Sequence, residues 1–162
     1  EICFVKDNDY ANYVKIHSNT SIKEGNFVDT KGNVLGRHKG IVNYTIGQRK
    51  GLGIAFGKPM FVIDINAKNN TVILGDNKDL FQHNLIAKDV NFISIEDIKE
   101  PIRVKAKVRY AAKPADATVY KVGQDKIKIV FDEAQRAITK GQSVVMYDED
   151  KVVGGGIIES SF

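Results

Sequence analysis

The sequence predicts a mainly β protein that folds as two small domains. Short runs rich in Val, Ile, Phe and Tyr recur along the chain, separated by clusters of Gly, Asn and Asp. One segment has helical periodicity, and no helices of about 10–15 residues alternate with the strands, which argues against a parallel α/β fold. The chain has 162 residues, 43% hydrophobic and 27% charged, so it is long enough for one domain or two small ones.

The first domain is predicted to contain a short strand, one helix and two hairpins. Residues 2–5 form an apolar run typical of a buried strand, and apolar residues at helical spacing predict a helix over residues 9–17. The hairpins are expected where apolar segments flank turn residues. Their strands are predicted at residues 25–29 and 33–36, and at 61–65 and 71–75.

The second domain is predicted to be a small barrel or sandwich. Its six strands are expected at residues 89–93, 102–110, 118–122, 126–131, 143–147 and 152–158. The polar stretch 76–84 is expected to be irregular, and it places the boundary between a domain of residues 1–84 and one of residues 85–162. Glycines inside the last strand, at residues 154–156, indicate a bulge or a tight barrel corner.

Residues 102–110 alternate between apolar and basic side chains. Because alternate residues of a strand point to opposite faces, one face is predicted to carry four cations. These are Arg103, Lys105, Lys107 and Arg109. They could follow a nucleic-acid backbone, or they could form a solvated face or an edge that resists aggregation. Residues 85–162 hold 13 Lys and Arg against 12 Asp and Glu, which weakens the nucleic-acid interpretation.

The stretch 44–54, Tyr-Thr-Ile-Gly-Gln-Arg-Lys-Gly-Leu-Gly-Ile, is a second candidate surface. Its glycines allow close backbone approach, and they flank the polar cluster of Gln48, Arg49 and Lys50. Residues 31–58 contain six Lys and Arg and no Asp or Glu, a local excess that favours a polyanion-facing loop. The alternative is a solvated turn. Nearby His38 is either a phosphate contact or a turn residue.

Cysteine and histidine usage excludes several kinds of site. His17, His38 and His83 lack metal-ligand spacing, and with one cysteine no metal site is predicted. One cysteine permits no internal disulfide, which suits a reducing cytosol. A lone cysteine in an apolar run such as that of Cys3 is usually a small buried hydrophobe. No run of 18 apolar residues predicts a membrane span, and the net charge of +4 leans toward an anionic partner.

Six motifs occur along the chain in a characteristic order. They are Ile-Cys-Phe-Val at 2–5, Gly-x-His-x-Gly at 36–40, the block at 44–54, Arg-Tyr at 109–110, Gly-Gln-x-Val-Val-x-Tyr at 141–147 and Gly-Gly-Gly-x-Ile at 154–158. Together they resemble the C-terminal part of the bacterial tRNA-specific 2-thiouridylases, the MnmA type. The resemblance extends from residue 2 to about residue 158, and the block at 44–54 is its most specific part.

The resemblance implies a fold and a reaction. Family members have an N-terminal ATP-binding domain, absent here, then a central β-roll-like domain with one short helix and a translation-factor-like β-barrel. ATP activates the C2 oxygen of the tRNA wobble uridine to an adenylated intermediate, and sulfur from a cysteine persulfide then replaces that oxygen as AMP leaves. ATP and Mg²⁺ are therefore expected to bind outside this chain, which alone is expected to be inactive.

The resemblance also implies residue roles and partners. Cys3 matches the persulfide carrier, while Arg109, Tyr110 and Gln142 match tRNA contacts. Strict alternation places Tyr110 on the apolar face, so a strand ending before it is needed to free its ring. Further possible tRNA contacts, taken from the residues themselves, are His38, Gln48, Arg49 and Lys50. The expected partners are tRNA, a sulfur-relay donor protein and the N-terminal ATP-binding domain, in the cytoplasm.

Two other interpretations remain open. One is a non-catalytic β-barrel module that binds RNA or a partner, with Cys3 as a structural residue. The other is a scaffold that only positions the ATP-binding domain. The state of Cys3 separates the enzyme from both, because sulfur transfer requires an accessible, thiolate-like cysteine.

Overall fold

A computed structural model of the protein describes residues 10–17 and 22–162, and it confirms the mainly β fold class. The chain forms two compact units, one ending at Asp79 and the other running from Leu80 to Phe162. The strand predicted at residues 2–5 lies outside the described residues. Among those described, no helix is long and apolar enough to cross a membrane.

The first unit is a four-stranded sheet with one helix, α1 (Tyr10–His17). Its strands are β1 (Gly25–Val28), β2 (Val34–His38), β3 (Phe61–Asn66) and β4 (Thr71–Gly75). They are ordered β2-β1-β4-β3, with β1 and β4 parallel and the other pairs antiparallel. Both predicted hairpins are therefore present, as β1–β2 and β3–β4.

Local chemistry explains the first hairpin and the loop that follows it. The Asp29 carboxylate closes the β1–β2 turn by accepting hydrogen bonds from the backbone N–H groups of Lys31 and Asn33, both at 2.8 Å. The glycine-rich stretch 44–54 is held against β3, where the Gly47 N–H donates to the Val62 carbonyl at 2.8 Å. The core of this unit consists of Phe27, Tyr44, Leu52, Met60, Val62, Val72 and Leu74.

His38 belongs to this core, which corrects its assignment as a possible tRNA contact. Its ring is 1% exposed and packs edge-to-face against Phe27 and Tyr44. The Gly40 N–H donates to Nδ1 at 3.0 Å, so the proton is on Nε2, which donates to the Asn70 carbonyl at 3.1 Å. Both ring nitrogens are thus used inside the unit, and burial lowers the pKa of His38.

The second unit is a closed six-stranded antiparallel barrel. Of the two predicted architectures, barrel and sandwich, the barrel is the one formed. Its strands are β5 (Phe81–Phe92), β6 (Ile102–Lys107), β7 (Ala115–Lys121), β8 (Ile127–Arg136), β9 (Ser143–Asp148) and β10 (Lys151–Ser161). The order β10-β5-β8-β7-β6-β9 closes through pairing of β9 with β10. Inward residues such as Val104, Ala106 and Met146 form its core.

The stretch expected to be irregular is partly strand. Residues 77–80 form a 3₁₀ turn, but β5 already begins at Phe81, and its first residues pair with the end of β8, Phe81 opposite Arg136 and Gln82 opposite Gln135. Backbone pairing needs no particular side chain, so the ladder continues through a polar segment that composition marks as a loop.

The glycines at residues 154–156 mark bulges in β10, as predicted. The pairing of β10 shifts register near them on both sides, against β9 and against β5. A Cβ at Gly155 would lie 2.6 Å from the Val144 carbonyl oxygen, and one at Gly156 would lie 2.8 Å from that of Lys88. Three backbones therefore approach one another closely where the barrel closes.

We expect Gly155→Ala to lower the free energy of unfolding by about 1–3 kcal/mol, because its Cβ would push β9 away from β10. Urea unfolding measures the loss. Gly123→Ala is the matched control, since the nearest atom to its new Cβ is the Lys126 Cβ at 3.3 Å, a tight contact rather than an overlap with backbone. Equal stability of the two variants would contradict the close approach.

We expect His38→Ala to destabilise the protein by about 2–4 kcal/mol at pH 7.5, since it leaves a cavity and two polar groups without their partner. The lowered pKa adds a pH dependence. Below about pH 6.5, His38 takes up a proton more readily in the unfolded chain than in the folded one. The free energy of unfolding of the wild type therefore decreases as the pH is lowered. Urea unfolding at pH 7.5 and 5.5 should show a smaller pH effect in the variant; an equal effect would assign the loss to other groups.

Candidate nucleic-acid interface

Two of the four cations predicted along residues 102–110, Arg103 and Lys105, are ion-paired. The Arg103 guanidinium donates to both Asp132 oxygens, at 2.8 and 2.6 Å, and the Lys105 ammonium donates to Asp116 at 2.9 Å. The hydrogen bonds from Arg103 hold the pKa of Asp132 below its usual value, so both partners stay charged. These exposed pairs fit the solvated-face alternative.

Arg109 and Tyr110 lie beyond the end of β6. The strand stops at Lys107, three residues earlier than predicted, and the Ala112 N–H donates to the Arg109 carbonyl in a turn. Tyr110 therefore lies outside the strand, where the alternation would have placed it on the apolar face, and it is 97% exposed. One guanidinium N–H of Arg109 donates to the Arg136 carbonyl at 3.3 Å, and this contact fixes the direction of the side chain.

Strand pairing brings Gln142 to the same end of the barrel. Lys107, the last residue of β6, pairs with Val145, three residues after Gln142. The Gln142 carbonyl accepts from the Ile158 N–H at 2.8 Å, which fixes its backbone. Its exposed side-chain amide makes no hydrogen bond within the part of the chain that the structure describes. The register thus places Arg109, Tyr110 and Gln142 at neighbouring strand ends.

A groove of about 670 Å³ opens beside Arg109. One wall is the turn from β6 to β7, and the other is the last part of β8. Its charged lining residues are Arg109, Lys113, Arg136, Asp116, Asp132 and Glu133. Sequence reasoning missed Lys113, which follows Arg109 in the same turn but carries no distinctive pattern. It also missed Arg136, which only the barrel register brings beside Arg109.

In the glycine-rich loop of the first unit, Gln48 stabilises the turn, whereas Arg49 and Lys50 point to solvent. The Gln48 amide closes the turn, accepting from the Thr45 N–H at 2.9 Å and donating to the Lys50 carbonyl at 3.0 Å. Gln48 thus stabilises the turn, and its role as a possible RNA contact stays a prediction. Arg49 and Lys50 are exposed, and neither side chain forms an ion pair with a described residue, so both stay candidates for anion contact.

Cys3 is outside the described residues. Within residues 10–17 and 22–162, no group of three or more His, Cys, Asp and Glu side chains could hold a metal ion.

Two domain families match the chain, one in each unit. Residues 11–76 match the tRNA methyl transferase PRC-barrel domain, and residues 82–158 match the aminomethyltransferase beta-barrel domain. The second match contains Arg109, Tyr110 and Gln142.

Several curated relatives match almost all of the chain. It is 77% identical over 161 residues to the tRNA-specific 2-thiouridylase MnmA of Clostridioides difficile (strain 630), covering 99% of this chain and 45% of the relative. The MnmA of Acetivibrio thermocellus is 60% identical and MnmA 1 of Clostridium botulinum (strain Okra / Type B1) 57% identical, each over 98% of this chain and 44% and 45% of the relative. The chain thus spans less than half the length of these relatives, and it belongs to the family of the tRNA-specific 2-thiouridylases.

Proposed function

We propose that this chain is part of a tRNA-uridine 2-sulfurtransferase, to which it contributes a tRNA-contacting surface and the persulfide cysteine. The observation that carries the proposal is the grouping of Arg109, Tyr110 and Gln142 at one end of the barrel. The names of the relatives, as tRNA-specific 2-thiouridylases, support tRNA as the partner.

The three side chains supply complementary kinds of RNA contact. The anchored Arg109 guanidinium keeps further N–H groups for a phosphate oxygen. The exposed Tyr110 ring offers a face on which a base can stack. The free Gln142 amide can hydrogen-bond ribose or phosphate. Arg49 and Lys50 of the first unit are further candidates for phosphate contact, and they add affinity without reading sequence.

In the proposed reaction, Cys3 takes sulfur from a donor protein and holds it as a persulfide. The terminal sulfur then bonds to C2 of the wobble uridine as the adenylated oxygen leaves with AMP. A second cysteine, which the family resemblance implies in the ATP-binding domain, attacks the Cys3 sulfur, so that the sulfur–sulfur bond breaks, a disulfide forms and the terminal sulfur stays on C2. The residues described here do not fit a site for ATP and Mg²⁺, because no metal-holding cluster is found among them and residues 51–57 form a loop rather than a strand–turn–helix unit. Nucleotide activation is assigned to the ATP-binding domain that the family resemblance implies, and the chain alone is expected to be inactive.

We expect Arg109→Ala to weaken tRNA binding roughly tenfold in low salt, through loss of a charge-assisted hydrogen bond. Gel shifts of the 162-residue chain with tRNA over a range of salt concentrations measure this. Lys126→Ala is the control, because Glu159 already engages the Lys126 ammonium and neither residue lines the groove beside Arg109, so it should change affinity less than about twofold. Similar effects of both substitutions would remove Arg109 from the surface, and no binding by the wild type would reject the RNA-contact role.

We expect Cys3→Ser to abolish 2-thiouridine formation in the protein that also carries the ATP-binding domain, because a serine cannot hold a persulfide. Mass spectrometry of nucleosides from treated tRNA measures the product, and gel shifts with the same variant should show unchanged tRNA affinity. Thiolation that persists without this thiol would favour the non-catalytic RNA-binding module.

A further inference from the structure

We propose that the groove beside Arg109 binds one unpaired RNA nucleotide, with a phosphate between Arg109 and Lys113 and the base stacked on Tyr110. This inference rests on the proposed function, and it specifies which part of an RNA the barrel holds and adds Lys113 to the residues that hold it.

The groove has the size and position for a single nucleotide. Its volume of about 670 Å³ falls within the range of about 300–1,000 Å³ that is usual for small-ligand sites. Arg109 and Ala111 both line it, and Tyr110, the residue between them in the sequence, has an exposed ring that does not itself line the groove. A nucleotide with its phosphate in the groove can therefore place its base at the tyrosine ring.

Ion pairing gives the groove a positive character that its composition hides. Three carboxylates line it, but Asp132 is bound by Arg103 and Asp116 by Lys105, both from β6. Glu133 is the carboxylate that remains to oppose the cations on the walls. A phosphate in the groove therefore meets an excess of positive charge.

Lys113 and Arg109 are suited to hold a phosphate in different ways. Arg109 is oriented by its bond to the Arg136 carbonyl, so its remaining N–H groups are presented in a fixed fork. Lys113 is exposed in the turn that forms one wall, and it forms no ion pair with any residue that the structure describes. Its ammonium is a mobile point charge that can follow a phosphate without breaking a protein contact.

Tyr110 selects for an unpaired base. Bases inside a helix have both faces covered by their neighbours, whereas a base in a loop or at an end can leave the stack and pack on an aromatic ring. The Lys107 ammonium lies 5.7 Å from the centroid of the Tyr110 ring, which adds positive charge beside the stacking position. Stacking reads no sequence, so the groove should accept any base.

The phosphate contact is tested by the salt dependence of binding. The probe is a fluorescent RNA hairpin with a seven-nucleotide loop, and the dissociation constant is measured by anisotropy over a range of KCl concentrations. Lys113→Ala should reduce the slope of log K against log salt concentration by about 0.7, the value for one phosphate of a single strand. Lys151→Ala, which removes an exposed lysine that does not line the groove, should leave the slope unchanged.

The stacking contact is tested by comparing the hairpin with a blunt duplex of the same stem. The wild type should prefer the hairpin. Tyr110→Ala should weaken hairpin binding about tenfold and remove that preference without altering the salt slope, while Tyr110→Phe should keep both.

The outcomes separate this inference from the proposed function. If Lys113→Ala keeps the wild-type salt slope while Arg109→Ala reduces it, nucleotide binding in the groove is rejected and the proposed tRNA surface is not. Equal wild-type affinity for hairpin and duplex would overturn the unpaired nucleotide. Failure of the wild type to bind either RNA in low salt would overturn the proposed tRNA contact itself.

Discussion

The close approach of three backbones at the glycines of β10 is the constraint on which the candidate interface depends. A side chain at Gly155 would meet the Val144 carbonyl, so β9 can lie against β10 only because no Cβ intervenes. Closure fixes β9, which in turn pairs with β6. The end of β6 and the start of β9 therefore emerge side by side, and Arg109, Tyr110 and Gln142 owe their proximity to a packing feature in a third strand.

Ion pairing within the barrel decides where positive charge is left for a partner. The cations in the middle of β6 face carboxylates on β7 and β8, and each pair removes charge from the solvated face. Beyond the end of β6 this balance stops, because Arg109 donates to a backbone carbonyl rather than to an acid. An almost neutral domain can thus present a local positive surface.

The parts of the fold that rest on short-range pattern could be predicted from the sequence. Alternation in residues 102–107 gave the correct faces of β6, and the glycines of β10 indicated bulges correctly. Errors arose where tertiary contacts decide the role of a residue. His38 sits in polar, glycine-rich surroundings typical of a surface, yet its ring is buried and both of its nitrogens are hydrogen-bonded. The groove could not be predicted, since Lys113 and Arg136 meet only through the register of the barrel.

The balance of charge also bears on how such a surface would treat RNA. Phosphate contacts add affinity for any RNA, and a strongly basic face would hold double-stranded and single-stranded RNA alike. Because Arg103 and Lys105 are paired with acids, their electrostatic attraction for any RNA is reduced. What remains is a short cationic segment next to an exposed aromatic ring. Such a site binds RNA tightly only when a phosphate contact is combined with an unstacked base that packs on the ring. In the proposed interface, selectivity for RNA shape would thus follow from neutralising charge nearby as much as from the cations that are left.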